Sequence, residues 1–145
     1  MNKKPLFAAL AVTAVVALAG PASAAEKKLS ATLDGKSEVP ATTSSGTGTA
    51  TMTYDDASKK LTWHVKYSGL SGPATAAHFH GPAEAGKNAG VAVAIPNIAA
   101  GASGNEVEGS ATLTDAQAAD LLAGKYYVNI HTAANPGGEI RGQVK

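Results

Sequence analysis

Apolar and polar residues alternate along several short segments of this chain, with the period of two that is typical of β-strands with one buried face. The clearest example is residues 61–67, where Leu61, Trp63, Val65 and Tyr67 fall on one face. Strands are also expected at residues 26–33, 49–54, 76–80, 91–95, 125–131 and 139–144. Many short strands with closely spaced turns predict an all-β fold, either a Greek-key-like antiparallel β-sandwich or a flattened barrel.

One short helix is expected between these strands. Thr114 and Gln117 have the spacing of a capping box, and Asp115 falls in the first turn, where an acidic side chain is favourable. Residues 116–123 are good helix formers, and Gly124 is placed to end the helix. No internal repeat is evident, so residues 26–145 are expected to form a single domain.

The first 25 residues have the layout of a secretory signal peptide. A short basic start with Lys3 and Lys4 precedes an uncharged apolar run at residues 6–19, and small residues follow in an Ala-x-Ala arrangement at residues 22–24. The apolar run is too short for a spanning helix. The mature chain is therefore expected to be periplasmic or secreted, with no attachment to a membrane after cleavage.

Charge and cysteine content exclude several classes of function. The 145-residue chain carries a formal charge of +1, which becomes about −1 once the leader is removed, and it has no basic cluster of the kind that binds nucleic acid. It contains no cysteine, so disulfides, thiolate metal sites and thiol catalysis are excluded. The serines lie in loop or turn contexts without the pattern of a nucleophile elbow.

The last two strands are expected to form a hairpin around a five-residue turn at residues 134–138. This register places Arg141 opposite His131 and Gln143 opposite Asn129, and it keeps every apolar residue opposite another apolar residue or a glycine. Tyr127, Asn129 and His131 then share the polar face of their strand.

All four histidines lie on the polar faces of their strands. His78 and His80 are two residues apart, so they share a face, while His64 and His131 come from other strands. Their types and faces are compatible with a shared metal site, and equally with surface or hydrogen-bonding histidines. The residues alone leave both interpretations open.

The sequence resembles the chordin-type (CHRD) domain family over nearly the whole mature chain. The resemblance is carried by HFHGPAEAG at residues 78–86 and, above all, by LLAGKYYVNIHTAANPGGEIRGQV at residues 121–144. Family membership implies an extracellular β-sandwich, found as repeats in an animal developmental antagonist and alone in exported microbial proteins. It does not fix an activity.

The histidine pattern is also similar to that of copper-zinc superoxide dismutases, which share a Greek-key β-sandwich. This second resemblance implies that His78 and His80 are copper ligands, that His131 is a third, and that Arg141 guides an anion to the metal. His64 is a candidate for a fourth ligand. Asn129 and Glu139 are candidates for orienting the ligand imidazoles, with Tyr127 lining the site.

The departures from those dismutases point to copper alone. The loop after His80 offers only Glu84 as a carboxylate and no histidine, so the zinc subsite of the dismutases cannot be built. Imidazoles without a thiolate suit Cu²⁺, and zinc is the alternative metal. Calcium is not expected, because residues 55–56 and 106–108 have the character of solvated loops.

The sequence therefore predicts an exported mononuclear copper-binding protein with superoxide dismutase-like activity and superoxide as its small anionic substrate. The metal would cycle between Cu²⁺ and Cu⁺. Two alternatives stay open: a copper-binding or copper-buffering protein without turnover, and a metal-free adhesion or ligand-binding module. The sequence does not determine an oligomeric state.

Overall fold

Eight antiparallel strands and one α-helix build the part of the chain that this computed structural model describes, residues 25–98 and 105–145. The strands are β1 (Glu26–Asp34), β2 (Thr47–Asp55), β3 (Lys60–Ser68), β4 (Ala74–His80), β5 (Val91–Ala94), β6 (Glu106–Thr112), β7 (Tyr127–Thr132) and β8 (Ile140–Gln143). The helix is α1 (Asp115–Leu122), and a short 3₁₀-helix follows β1 at Gly35–Ser37. The expected signal peptide lies outside the described residues, except for its last position.

The strands form one sheet in the order β5-β4-β7-β8-β1-β2-β3-β6. The sheet curls on itself, so that the ring of Trp63 in β3 meets the ring of Phe79 in β4 edge-on, with ring centroids 5.2 Å apart. These two strands are separated by four others in the sheet order, and their contact crosses the interior. The all-β prediction is confirmed, in its barrel-like form with one short helix. Among the described helices, none combines the length and the apolar character that crossing a membrane requires.

The alternation read from the sequence describes the core correctly. Leu61, Trp63 and Val65 are at most 2% exposed, and the apolar face of β7, with Val128 and Ile130, is fully buried. Burial of these side chains is the main favourable contribution to folding.

The capping box of α1 is confirmed. The Thr114 side chain accepts a hydrogen bond from the Gln117 backbone N–H at 3.2 Å, and the Gln117 side chain accepts one from the Thr114 N–H at 2.9 Å. Gln117 also donates to the carbonyl of Ala92 in β5 at 3.0 Å, which attaches the helix to the edge of the sheet. Gly124 follows the helix with a φ of 73°, a conformation that glycine adopts without strain.

We expect Thr114→Ala to lower the free energy of unfolding by about 1 kcal/mol, because an N–H at the start of the helix loses its acceptor. Urea denaturation followed by circular dichroism measures this loss. Thr114→Ser is the matched control, since it keeps the hydroxyl and should retain most of the stability. Equal losses in the two variants would contradict a capping role for Thr114.

The expectation of a solvated loop at residues 106–108 is wrong, because these residues begin β6. This strand pairs with β3, and Val107 is only 7% exposed on the core side. Gly109 lies against the Trp63 ring, where any Cβ would come within 2.7 Å of a ring carbon. The strand shows a weak apolar signal because its outward positions carry Glu106 and Glu108 and its inward positions include this glycine.

The expected register of the last hairpin is wrong by two residues. Arg141 pairs with Asn129 rather than with His131, and Ile140 pairs with Ile130. The turn is wider than five residues because Thr132 and Asn135 exchange two backbone hydrogen bonds, at 3.2 and 3.3 Å, before the chain returns. A shift of two residues keeps every side chain on its expected face, so apolar residues still pair with apolar residues or glycine.

Candidate metal centre

A layer of polar side chains covers the outer face of β4, β7 and β8. The observed registers place His78 beside Asn129, His80 beside Tyr127, and Asn129 beside Arg141 on this face. Two loops lie over the layer: Asn88, in the loop after β4, donates to the carbonyl of Val39, in the segment after β1. Asn129 and Arg141 are consequently 3% and 1% exposed, although they face away from the apolar core.

Three histidines come together at the edge of this layer. His78, His80 and His131 each offer one ring nitrogen, and the three nitrogens lie within 4.8 Å of one another. The closest pair is His78 Nδ1 and His131 Nε2, at 3.1 Å. All three rings are half-buried, so the cluster stands between the polar layer and solvent.

Main-chain carbonyls orient two of the three rings. His80 Nδ1 lies 2.9 Å from the oxygen of Ala89, and His131 Nδ1 lies 2.9 Å from the oxygen of Pro136. Because a carbonyl only accepts, both Nδ1 atoms carry the hydrogen, and the Nε2 atoms are left to face the cluster, where that of His131 lies against His78 Nδ1. His80 Nε2 is buried and has no hydrogen-bond partner within the described residues. Backbone acceptors that fix the tautomer in this way are the usual support of metal-binding histidines.

The electrostatic environment favours the neutral form of His78 and His80. Burial lowers the pKa of His78, and the neighbouring His131 and His80 lower it further. Burial also lowers the pKa of His80, against the raising effects of the Ala89 carbonyl and the Asn129 side chain, and the charges of His131 and Arg141 lower it further. Neutral imidazole is the form that binds metal ions, so this environment suits ligation near neutral pH.

Arg141 lies behind the cluster instead of facing it. Its Nη1 donates to Asn88 Oδ1 at 3.0 Å, its Nη2 donates to the carbonyl of Lys87, and its Cζ lies 3.4 Å from the centre of the Tyr127 ring. The Tyr127 ring in turn stacks on the His80 ring, with centroids 4.9 Å apart and an angle of 3° between the planes. Arg141 as a whole residue is 1% exposed, so its guanidinium is not presented to solvent.

The structure does not bring His64 to the cluster. This residue lies in β3, where its Nε2 is 2.9 Å from Glu106 Oε2 in the neighbouring strand β6. In the sheet order, β3 is separated from β4 by four strands, and the polar face of His64 is the outer face of the sheet. The expectation of a fourth ligand at His64 is therefore corrected: its polar face was read correctly, but its strand lies in another part of the sheet.

Glu139 does not orient a ligand imidazole, contrary to expectation. Its buried carboxylate accepts hydrogen bonds from Ser71, Ser44, Thr132 and Asn135. The groups that hold the imidazoles are the carbonyls of Ala89 and Pro136, which sequence reasoning missed. Every residue has a carbonyl, so no residue type marks these positions; the only available signal is that both lie in glycine- or proline-rich turns.

Comparison with protein families finds a match between residues 29–144 of this chain and the CHRD domain. Comparison with curated proteins and with solved structures finds no match.

Proposed function

The chain belongs to the CHRD domain family, whose members occur in extracellular proteins, and from this membership and its histidine cluster we propose that it is an exported copper-binding protein. The periplasm or the extracellular medium would be its place of action. The ligands in this proposal are His78, His80 and His131.

The observation that carries the proposal is the convergence of three imidazole nitrogens within 4.8 Å on two neighbouring strands. Metal–imidazole bonds are about 2.0–2.1 Å long, so nitrogens 3.1 Å apart are spaced as neighbouring ligands of one ion. The hydrogen that joins His78 and His131 would give way to that ion. The partnerless Nε2 of His80 would gain the partner that a buried polar atom requires.

Copper is favoured over zinc by the donor set. Nitrogen donors without thiolate suit the tetragonal preference of Cu²⁺, which also stands at the top of the affinity order of divalent ions. A three-histidine site also holds zinc, and zinc is the competing metal in the test below. Within the described residues the group contains three ligands, which leaves a coordination position for a small molecule.

The activity that we propose for the loaded site is superoxide dismutation. Copper bound there would supply one-electron chemistry: one superoxide gives up its electron and leaves as dioxygen, and a second takes that electron with two protons and leaves as hydrogen peroxide. Arg141 lies against the Tyr127 ring, and its positive charge, which lowers the pKa of His80, would also attract an anion towards the site.

The burial of Arg141 favours a second candidate, a copper carrier without turnover. Arg141 is 1% exposed, and each of its terminal nitrogens donates a hydrogen bond to the loop after β4, so the guanidinium is not accessible to an incoming anion in this arrangement. A carrier needs the three imidazoles but not an accessible guanidinium.

Metal analysis and electron paramagnetic resonance of the copper-loaded protein test both candidates. We expect one Cu²⁺ per chain, a spectrum with nitrogen hyperfine structure, and catalysed decay of superoxide in a stopped-flow or pulse-radiolysis assay. Stoichiometric copper without catalysed decay would establish the carrier and end the dismutase proposal. A protein that retains neither copper nor zinc after dialysis would overturn both and leave a metal-free binding module.

A further inference from the structure

Three side chains form a column behind the metal centre. The His80 ring is stacked on the Tyr127 ring, and the Arg141 guanidinium lies over the Tyr127 ring with its Cζ 3.4 Å from the centroid. The strand registers place the three residues on adjacent strands β4, β7 and β8 of one face. The column therefore runs across the sheet from the cluster into the buried polar layer.

The same residues hold the loop between β4 and β5. The Tyr127 hydroxyl accepts a hydrogen bond from the Ala89 N–H and donates one to the Ala89 carbonyl, both at 3.2 Å. Arg141 donates to the side chain of Asn88 and to the carbonyl of Lys87. The Ala89 carbonyl is also the acceptor for His80 Nδ1, so the loop that fixes the tautomer of His80 is itself fixed by Tyr127 and Arg141.

This arrangement places a cation where its burial is costly. Arg141 is 1% exposed, and no salt bridge among the described residues includes it. Its direct partners are an aromatic face, a side-chain carbonyl and a main-chain carbonyl, with the buried Glu38 as a neighbouring charge, and the direct partners satisfy it only while the loop and the tyrosine keep their places. Displacement of the loop would leave a buried charge with fewer partners, so Arg141 opposes such displacement.

We infer that Tyr127 and Arg141 are positioning residues that hold the His80 ring and its Ala89 acceptor, so that His80 Nε2 is directed at the other two imidazoles before any metal binds. The part of this inference that concerns metal affinity rests on the proposed function. The part that concerns the ring and the loop does not, because it is a property of the metal-free protein.

The test compares graded variants of the full chain. Tyr127→Phe keeps the stacked ring and removes the hydroxyl, whereas Tyr127→Leu removes both. Arg141→Lys keeps a positive charge but cannot donate to the Asn88 side chain and the Lys87 carbonyl from two separate nitrogens, and Arg141→Gln removes the charge. Tyr67→Leu is the matched control, since Tyr67 is a partly buried tyrosine that packs against the core from β3.

Two measurements are made on each variant, with circular dichroism to establish that it folds. The first is ¹⁵N nuclear magnetic resonance of the metal-free protein, which reports the tautomer of His80 and the exchange rates of two amides, that of Ala89 and that of Gly81, which donates to the Gly90 carbonyl across the loop at 3.2 Å. The second is calorimetric titration with Cu²⁺ alone. Tyr127→Leu and Arg141→Gln should accelerate amide exchange at least about tenfold, mix the His80 tautomers and weaken copper binding by about 10- to 100-fold. Tyr127→Phe and Arg141→Lys should lie between these variants and the wild type.

The outcomes distinguish the positioning role of Tyr127 and Arg141 from the proposed copper binding. An unchanged His80 tautomer and unchanged exchange in Tyr127→Leu and Arg141→Gln would overturn the positioning role, whatever copper does. Equal effects in Tyr67→Leu would do the same, because they would reveal a general loss of stability. If the wild type binds no copper while the loop and tautomer respond as expected, the positioning role holds and the proposed function fails.

Discussion

Replacing His131 by alanine is expected to lower the affinity for Cu²⁺ by several hundredfold. Structural zinc sites with four protein ligands bind with about 10–16 kcal/mol, which assigns on the order of 2.5–4 kcal/mol to each ligand. His131 is the only cluster member on β7, so its loss leaves two imidazoles on a single strand. Isothermal titration with Cu²⁺, supported by electron paramagnetic resonance, measures the change.

The chain supplies its own control in His64→Ala. This residue is also a histidine on the polar face of a strand, but its ring nitrogen is 2.9 Å from Glu106 in another part of the sheet. We expect its removal to leave copper affinity and the resonance spectrum unchanged. A loss as large as that of His131→Ala would mean that copper binds outside the three-histidine cluster.

Glu139→Gln is expected to lower the free energy of unfolding by about 2–3 kcal/mol at neutral pH. The carboxylate is fully buried and accepts hydrogen bonds of 2.5–3.2 Å from Ser71, Ser44, Thr132 and Asn135. It joins three loops, and an amide would present a donor where only donors point. No salt bridge of the described residues includes Glu139, so hydrogen bonds are its direct polar partners. Guanidinium-induced unfolding measures the loss, with the exposed Glu108→Gln as control.

The same carboxylate predicts a loss of stability in acid. Burial alone would raise the pKa of Glu139, but the hydrogen bonds from Ser71, Thr132 and Ser44 outweigh it and lower the pKa from 4.5 to about 2. A lowered folded-state pKa gives stability that is fully present above about pH 4.5 and is lost as the pH falls towards 2. We expect the difference in unfolding free energy between wild type and Glu139→Gln to shrink over this window. A constant difference would contradict the assigned hydrogen bonds.

Glu38 is a second buried carboxyl, and it shows that a lowered pKa such as that of Glu139 requires enough hydrogen-bond donors around the carboxylate. It is also buried, at 5% exposure, but its Oε1 has no hydrogen-bond partner among the described residues. Burial therefore raises its pKa to about 7, against the lowering effect of Arg141 and the Val39 N–H. A raised carboxyl pKa costs stability as the pH rises from about 4.5 to 7. We expect Glu38→Gln to be as stable as the wild type or more stable at pH 8, and a clear destabilisation there would contradict this assignment.

Sequence patterns predicted the faces of the strands well because a face depends only on period. The apolar and polar sides of β3, β7 and β8 follow from alternation, and they survived a register error because that error was an even number of residues. The helix could be predicted equally well, since Thr114 and Gln117 form a capping box through local contacts alone. The expected role of Glu139 beside the imidazoles was wrong. Its carboxylate is held by hydroxyls from Ser44 and Ser71, which are remote in sequence, so alternation along β8 carries no information about them.

The candidate site was predictable in part for the same reason. That His78 and His80 share a face is a local property, whereas their approach to His131 depends on the pairing of β4 with β7. Sequence order does not give sheet order, so His64 and His131 were indistinguishable as third ligands from their faces alone. Arg141 is buried because two loops cover it, and the alternation of apolar and polar residues in β8 does not predict where these loops lie.

The three clustered histidines are divided between two strands, so an ion bound by them would also have a structural effect. An ion held by His78 and His80 on one side and by His131 on the other would tie β4 to β7 in a chain that has no disulfide. A chelator would remove this cross-link and added metal would restore it, and the melting temperature would rise with the logarithm of the free copper concentration. The protein would thus carry a reversible cross-link between β4 and β7, and the fraction of molecules that contain it would rise with the free copper concentration.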